Sequence, residues 1–167
     1  CVPERWIIPV SEKYSFDEWA SLPLAALSAY HMLVTRAQLR AGETVLIHAA
    51  GSGIGSLAIQ IAKFLGATVF TTVGDFMKVS RAKKLGADEV IQYKTEDFAE
   101  KVQKLTGGRG VDVVFDHIGP ETWPKNLASL TRGGRMVTCG ATSGPKTEIE
   151  IRPLFSKQLS ILGSYMG

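Results

Sequence analysis

Three glycines at alternate positions lie between a short apolar run and a longer one. Gly51, Gly53 and Gly55 follow residues 45–47 and precede residues 57–65, and the second run ends at Gly66. A strand, a tight turn and a helix in this order present backbone N–H groups at a helix N-terminus. No Cβ atom there hinders a phosphate, and the helix dipole attracts it. This stretch therefore predicts a pyrophosphate-binding site.

A second unit of the same kind follows at once. Residues 68–73 have the composition of a strand, Gly74 ends it, and a predicted helix continues to Leu85 before Gly86. Since a single glycine pattern is often only a turn, this second unit is what favours a dinucleotide ligand over a buried turn.

Predicted strands and helices alternate from residue 44 onward. The alternation implies a parallel sheet with helices on both faces, a three-layer αβα arrangement of the α/β class. The predicted strands cover about 44–49, 67–73, 88–92, 111–116, 134–139 and 159–163, and the helices about 54–65, 76–85, 96–105 and 121–130.

The residues before this region contain two predicted helices and one apolar run. Ser15 is a predicted N-cap for a short helix ending at Ala20, and Pro23 opens a second helix that reaches about Leu39. The apolar run 6–10 is predicted to be extended, and it would need a domain outside this chain to cover it.

Ligands of such a sheet bind in the crevice outside the carboxyl ends of its strands. The segments after the predicted strands should therefore share one crevice. They are residues 50–55, 74–78, 93, 117–119, 140–143 and 164–165.

Composition excludes several classes of protein. The 167 residues are 45% hydrophobic, enough for one domain with a sizeable core, and the net charge of +3 comes from interspersed charges that form no basic face for nucleic acid. Cys1 and Cys139 form neither a disulfide framework nor a zinc cluster, so a reducing cytoplasm is expected. No apolar run approaches the length of a membrane span, and no leader peptide is evident.

Four motifs, in a fixed order, carry a family resemblance. HAAGSGIGSLAIQIAKFLGATV, AKKLGADEVIQY, TGGRGVDVVFDHIG and GGRMVTCGATSG resemble the cofactor domain of medium-chain dehydrogenases/reductases, in particular quinone oxidoreductases and the zinc-type alcohol dehydrogenase-like proteins. The resemblance implies a Rossmann-type doubly wound sheet, a nicotinamide cofactor and reversible hydride transfer. It also implies a piece of a longer protein. Residues 1–22 would be the tail of a missing catalytic domain, and residues 23–167 the dinucleotide-binding domain with a truncated end.

The choice between NADPH and NADH depends on the end of the second predicted strand. Val73 stands where an acidic residue would accept the ribose 2′-OH of NADH. The resemblance matches Lys78 and Tyr93 to residues that hold the 2′-phosphate of NADPH, so NADPH is the predicted cofactor. NADH remains the alternative, because Asp75 could reach a ribose, although we favour Asp75 as a helix N-cap.

The resemblance also supplies the remaining cofactor contacts and one departure. Ser52 replaces the first glycine of the Gly-Gly pair usual in quinone reductases, and we expect it to be tolerated as a donor through its N–H and hydroxyl, provided its backbone angles allow it. Ser28 and Tyr30 match positions at the nicotinamide end, where Tyr30 could equally be a packing residue. The predicted cofactor-binding residues are Ser28, Gly51, Ser52, Gly53, Ile54, Gly55, Gly74, Lys78, Tyr93, His117, Gly140, Ala141, Thr142, Ser164 and Tyr165.

The sequence does not support zinc within this chain. Leu24 stands where the resemblance places a ligand cysteine, and an aliphatic side chain cannot bind zinc. Ligands in a missing domain remain possible. His48 is predicted to be buried and hydrogen-bonded, and Cys139 to be a structural thiol.

These observations favour an NADPH-dependent oxidoreductase that reduces a quinone, an activated alkene or a carbonyl compound. A zinc alcohol dehydrogenase is one alternative, and a non-catalytic dinucleotide-binding protein is another. No residue is an obvious proton donor, so catalytic residues are not assigned. The resemblance implies a homodimer acting on a small molecule, with no nucleic-acid or membrane partner.

Overall fold

The fold is a six-stranded, entirely parallel sheet, seen in a computed structural model that describes residues 2–165. Cys1, one of the two cysteines of the chain, lies outside the described residues. The strand order β3-β2-β1-β4-β5-β6 is that of a Rossmann sheet, so the predicted α/β fold is confirmed. The strands are β1 Thr44–Ile47, β2 Thr68–Val73, β3 Glu89–Gln92, β4 Val111–Asp116, β5 Leu130–Thr138 and β6 Ser160–Gly163.

Helices flank the sheet and precede it. They are α1 Phe16–Ala20, α2 Pro23–Tyr30, α3 Gly53–Phe64, α4 Val79–Lys84, α5 Phe98–Leu105, α6 Trp123–Ser129 and α7 Arg152–Ser156. Short 3₁₀ turns occupy Glu4–Trp6 and Phe76–Lys78, and a π-helical turn occupies His31–Arg36. Among residues 2–165, no helix is both long and apolar enough to cross a bilayer.

Apolar residues cover both faces of the sheet, because alternate side chains of a strand point to opposite sides. Val45 and Ile47 of β1 belong to one core with Ile59 of α3, whereas Leu46 belongs to a second core with Leu127 of α6. The central strands are thus buried on both faces, as expected for a parallel sheet between two layers of helices. This rigid centre holds the carboxyl ends of the strands in one row.

The predicted helix from Pro23 to about Leu39 is wrong in its second half. The α-helix ends at Tyr30, and the chain continues as the π-helical turn, in which the N–H of Ala37 donates to the carbonyl of Met32 at 2.8 Å. Met32 and Ala37 are both buried, and a five-residue hydrogen-bonded turn brings them to the same side. Packing against the sheet therefore selects the wider turn.

Several predicted boundaries differ from the observed ones. β1 ends at Ile47 because Ala49 adopts a φ of 54°, which breaks the extended backbone. β5 begins at Leu130 rather than near 134. The five-residue α7 was not predicted, and its short length leaves no helical periodicity to detect. The apolar run 6–10 forms no strand, and Ile8 is 72% exposed.

Candidate functional site

The turn after β1 is held by hydrogen bonds to one carbonyl oxygen. The N–H and the hydroxyl of Ser52 both donate to the Ala49 carbonyl at 2.9 Å, and Ser52 Oγ accepts from the N–H of Gly55 at 2.9 Å. Ser52 has a φ of −80° and is the N-cap of α3. Its backbone is thus compatible with serine, but both of its donors are used inside the turn. The expectation that Ser52 offers them to a ligand requires this correction.

Gly55 is the position in this turn at which a side chain would not fit. A Cβ atom at Gly55 would lie 2.3 Å from the Ala49 carbonyl oxygen, whereas one at Gly53 would meet its nearest neighbour at 3.8 Å. Gly53 and Ile54 are the first residues of α3, so their N–H groups have no intrahelical carbonyl to bind. These two N–H groups fit the phosphates of a dinucleotide.

The side chain of Lys78 lies directly over the glycine turn. A Cβ atom at Gly51 would come within 3.1 Å of Lys78 Cδ and 3.5 Å of its Nζ. On the neighbouring strand end, a Cβ atom at Gly74 would lie 2.6 Å from the hydroxyl of Tyr93. The two glycines let an ammonium group and a phenol approach the carboxyl ends of β1 and β2.

Asp75 caps the 3₁₀ turn beside this pair. Its carboxylate accepts a hydrogen bond from the N–H of Met77 at 2.9 Å, which confirms the predicted N-cap. Lys78 ends the same 3₁₀ turn. Asp75 therefore contributes to holding the segment that carries Lys78.

A cavity of about 190 Å³ opens next to Tyr93. Its lining includes the apolar side chains of Phe98 and Ile118, the polar side chains of His48 and Thr72, and the carboxylate of Glu121. This partly apolar cavity lies between the ends of β1, β2, β3 and β4.

His48 is buried and fully hydrogen-bonded, as predicted. Its Nε2 lies 2.7 Å from Asn126 Oδ1, which can only accept, so Nε2 carries the proton and Nδ1 accepts from the Thr72 hydroxyl at 3.1 Å. Burial lowers the pKa of His48, although the nearby Asp116 carboxylate acts in the opposite direction. His48 is thus a neutral link between β1, β2 and α6.

His117 follows β4 and lies beside the glycine turn. Its Nε2 is 3.5 Å from Ser52 Oγ, and its Nδ1 is buried with no hydrogen-bond partner among the described residues. Burial lowers the pKa of His117, against the opposite effect of Asp116. A buried polar atom without a partner, at the edge of the crevice, fits a ligand group that completes its hydrogen bonding.

A cavity of about 420 Å³ lies at the carboxyl ends of β5 and β6. Cys139 lines it, and burial raises the pKa of this thiol, as does Asp116, which suits a structural role rather than a nucleophile. Thr142 is adjacent and donates from its hydroxyl to the His117 carbonyl at 3.3 Å. Predicted cofactor residues that line this cavity are Gly140, Ala141, Ser164 and Tyr165.

Helix α2, which carries the predicted residues Ser28 and Tyr30, lies beside the start of α3. Ala25 is the nearest neighbour of a Cβ atom built at Gly53, and Ser28 is one turn further along the same face of α2. The Ser28 hydroxyl donates to the Leu24 carbonyl at 2.9 Å. Tyr30, at the end of α2, is 54% exposed, so it does not pack into the core.

Comparison with known proteins adds the family. A family model described as zinc-binding dehydrogenase matches residues 53–167, more than half of the chain. The chain belongs to the zinc-binding dehydrogenase family. It is a cofactor-binding domain of the medium-chain dehydrogenase/reductase superfamily, which confirms the resemblance.

The relatives of this chain bear names that give different activities. "Quinone oxidoreductase 1" of Escherichia coli is 40% identical over 143 residues, covering 86% of this chain and 44% of that protein. The crystal structure of an NAD-dependent alcohol dehydrogenase is 43% identical, with a TM-score of 0.94 over 99% of this chain and 48% of that one. The structure of Escherichia coli quinone oxidoreductase complexed with NADPH is 37% identical, with a TM-score of 0.86 over 93% of this chain and 48% of that one. The chain thus spans about half of the length of each of these relatives.

The family is named for zinc binding, but residues 2–165 contain no group of three or more His, Cys, Asp or Glu side chains that could hold a metal ion. Leu24, at the position of the expected cysteine, is 75% exposed.

Several residues that shape the site were not predicted from the sequence. The left-handed backbone of Ala49 and the contacts of Asn126 leave no signal in the sequence, because they depend on neighbours far along the chain. Thr72 was detectable in principle, since it is a polar residue in an apolar strand. It accepts the N–H of Ala49 at 3.1 Å and so helps to hold the turn.

Proposed function

We propose that this chain binds NADPH for hydride transfer in an oxidoreductase that reduces a quinone, an activated alkene or a carbonyl compound. The observation that carries the proposal is the position of Lys78 over Gly51, together with the hydroxyl of Tyr93 against Gly74. An ammonium group and a phenol O–H are suited to a 2′-phosphate, whereas the 2′-OH of NADH needs an acceptor.

The surroundings of Lys78 support the same assignment. The end of β2 carries no carboxylate, since Val73 and Gly74 occupy the position of the usual ribose acceptor. The Asp75 carboxylate is engaged with the N–H of Met77. A dianionic phosphate beside Lys78 would therefore meet a cation and a hydroxyl.

The residues of this chain would bind and orient the cofactor. When bound, NADPH supplies the hydride from its nicotinamide ring. The N–H groups of Gly53 and Ile54 would hold the pyrophosphate, the cavity beside Tyr93 the adenine, and the loop after β5 the nicotinamide ribose. His117 would line the crevice as an uncharged ring, because burial lowers its pKa. Its Nδ1 atom would be the hydrogen-bond partner for the cofactor.

NADH with an alcohol substrate is the second candidate. The similarity to an NAD-dependent alcohol dehydrogenase favours it, as does the presence of Asp75 near the ribose site. In that case the Asp75 carboxylate would leave the N–H of Met77 and accept the ribose hydroxyls.

We also propose a homodimer. β6 is an edge strand that pairs only with β5 among the described residues, so its outer side can add a strand from a second copy. Sedimentation as a monomer alone would refute this assembly.

A calorimetric titration with NADPH and with NADH tests the cofactor assignment. We expect NADPH to bind more tightly. Lys78→Ala should lose about 10- to 100-fold in NADPH affinity, the range for a hydrogen bond to a charged group, and should leave NADH affinity unchanged. Tyr93→Phe should show a smaller loss of the same kind. Lys84→Ala is the matched control, because Lys84 is an exposed lysine of α4.

Equal or tighter binding of NADH by the wild type would contradict the NADPH assignment and favour the alcohol dehydrogenase candidate. Loss of affinity for both cofactors in Lys78→Ala would show that Lys78 binds the shared part of the molecule rather than the 2′-phosphate.

A further inference from the structure

The π-helical turn His31–Arg36 sends two polar side chains to the end of β6. His31 Nδ1 lies 2.8 Å from Ser164 Oγ, and Arg36 Nε donates to the carbonyl of Gly163 at 2.7 Å. These contacts join residues more than 120 positions apart in sequence, since their separations are 133 and 127. Gly163 is the last residue of β6, and Ser164 is the residue that leaves the sheet.

The wider turn is what allows both contacts. Two residues five positions apart on an α-helix point about 140° away from each other. Hydrogen bonding from residue i to residue i+5, as between Ala37 and Met32, brings them to the same side. An uninterrupted α-helix would direct only one of His31 and Arg36 towards β6. Such π-helical insertions are rare and frequently occur at functional sites.

Within one copy of the chain, β6 pairs with β5 only among the described residues, so its end needs this support. Its last backbone hydrogen bond to β5 runs from the N–H of Ser164 to the Thr138 carbonyl at 2.8 Å. Beyond it the chain lines the 420 Å³ cavity with Ser164 and Tyr165. Without further contacts, the exit of an edge strand is free to fray.

We propose that His31 and Arg36 are positioning residues, which fix the chain at Gly163–Ser164 so that it receives the nicotinamide half of the cofactor. This inference rests on the proposed function, since it assumes that the cavity at the ends of β5 and β6 holds that half. His31 acts on the side chain of Ser164, and Arg36 on the backbone of Gly163. Neither residue is required for binding the adenosine half, which lies across the sheet at β1, β2 and β3.

The test compares two ligands that differ in the nicotinamide half. NADPH contains both halves, whereas adenosine 2′,5′-bisphosphate has the adenine, the ribose, the 2′-phosphate and the 5′-phosphate, and lacks the nicotinamide half. Calorimetry on the protein should show that His31→Ala weakens NADPH binding about three- to tenfold, the factor expected for one hydrogen bond, and leaves the bisphosphate affinity unchanged. Ser164→Ala should behave in the same way, and the double variant should lose no more than either single one.

Two further variants separate positioning from general structure. His31→Asn should restore NADPH affinity, because the amide of asparagine occupies the place of the histidine Nδ1. Thr35→Ala, a change to an exposed residue in the same turn, should alter neither affinity. If His31→Ala is poorly folded, Ser164→Ala still provides the measurement, since it removes only a hydroxyl.

Three results would overturn the proposal. Unchanged NADPH affinity in both His31→Ala and Ser164→Ala would show that the contact has no effect on the nicotinamide half. An equal loss for both ligands would show a general loss of structure. Failure of the wild type to bind either ligand would refute the proposed function, and this inference with it.

Discussion

The hydroxyl of Ser52 is central to the phosphate-binding turn. It accepts the N–H of Gly55 and donates to the Ala49 carbonyl, so a side chain performs the capping that stabilises the start of α3. The sequence predicted the turn and its glycines, but not the direction of these hydrogen bonds. The direction depends on the left-handed Ala49, whose conformation its neighbours in the sheet impose.

At the same turn, Gly55→Ala should damage both stability and ligand binding. The new Cβ atom would lie 2.3 Å from the Ala49 oxygen and 2.9 Å from Ser52 Oγ, so the backbone must move. We expect the free energy of unfolding in urea to fall by about 1–3 kcal/mol, as for other overpacked sites. We also expect NADPH binding to weaken more than tenfold, a factor that corresponds to about 1.4 kcal/mol.

Gly53→Ala is the matched control for stability, since its Cβ atom meets only Ala25 at 3.8 Å. Its unfolding free energy should stay close to that of the wild type. An equal loss in the two variants would mean that the close approach at Gly55 is not what requires glycine.

Among the elements, α6 is tied to the centre of the sheet by the buried His48. The ring joins Thr72 on β2 to Asn126 on α6, and Phe98 of α5 packs edge-on at 4.9 Å between ring centroids. Burial of His48 was predictable from its place in an apolar strand. Its two partners were not, because sequence gives no measure of which helix residue crosses over which strand.

Replacement of this histidine should weaken the link between the elements. His48→Leu leaves the Thr72 hydroxyl and the Asn126 amide without their shared partner, and an unsatisfied buried group costs about 1–3 kcal/mol. We expect the free energy of unfolding to fall by about 2–4 kcal/mol in urea denaturation, within the range for a broken buried network. Asn126→Leu should cost less when His48 is already Leu. Strictly additive losses would show that the two side chains act independently.

At the scale of the whole molecule, ion pairs around the sheet make stability depend on pH. Burial by itself would raise the pKa of Asp112 and of Glu43. Hydrogen bonds from Arg109 and from a backbone N–H nevertheless hold the pKa of Asp112 below its ordinary 3.8. Hydrogen bonds from Arg135 and from a backbone N–H hold the pKa of Glu43 below its ordinary 4.5. Groups whose pKa is lower in the folded state stabilise it at higher pH, and this stability is lost as the pH falls through the folded values. The buried His48 and the partly buried His117 act in a higher window. Burial lowers both pKa values from 6.5, so the unfolded chain takes up these protons first.

Acid should therefore destabilise the protein over two windows. The free energy of unfolding, measured in urea at constant ionic strength, should begin to fall below pH 6.5 and should fall again below about 4.5, where Glu43 and Asp112 are protonated in the unfolded chain. Asp112→Asn should reduce the loss in the lower window only. A flat profile between pH 7 and 5 would contradict the assignment of a neutral, buried His48.

The sequence by itself determined the parallel α/β sheet, the glycine turn and the residues gathered at its carboxyl edge, since these follow from local periodicity and from glycine spacing. Tertiary structure decided how Lys78 reaches Gly51, why a π-helical turn replaces the end of α2, and which partners His48 and His31 find. The physical reason is the range of each effect. Hydrophobic alternation and turn geometry are read over a few neighbouring residues, whereas these contacts join parts of the chain that only the folded sheet brings together.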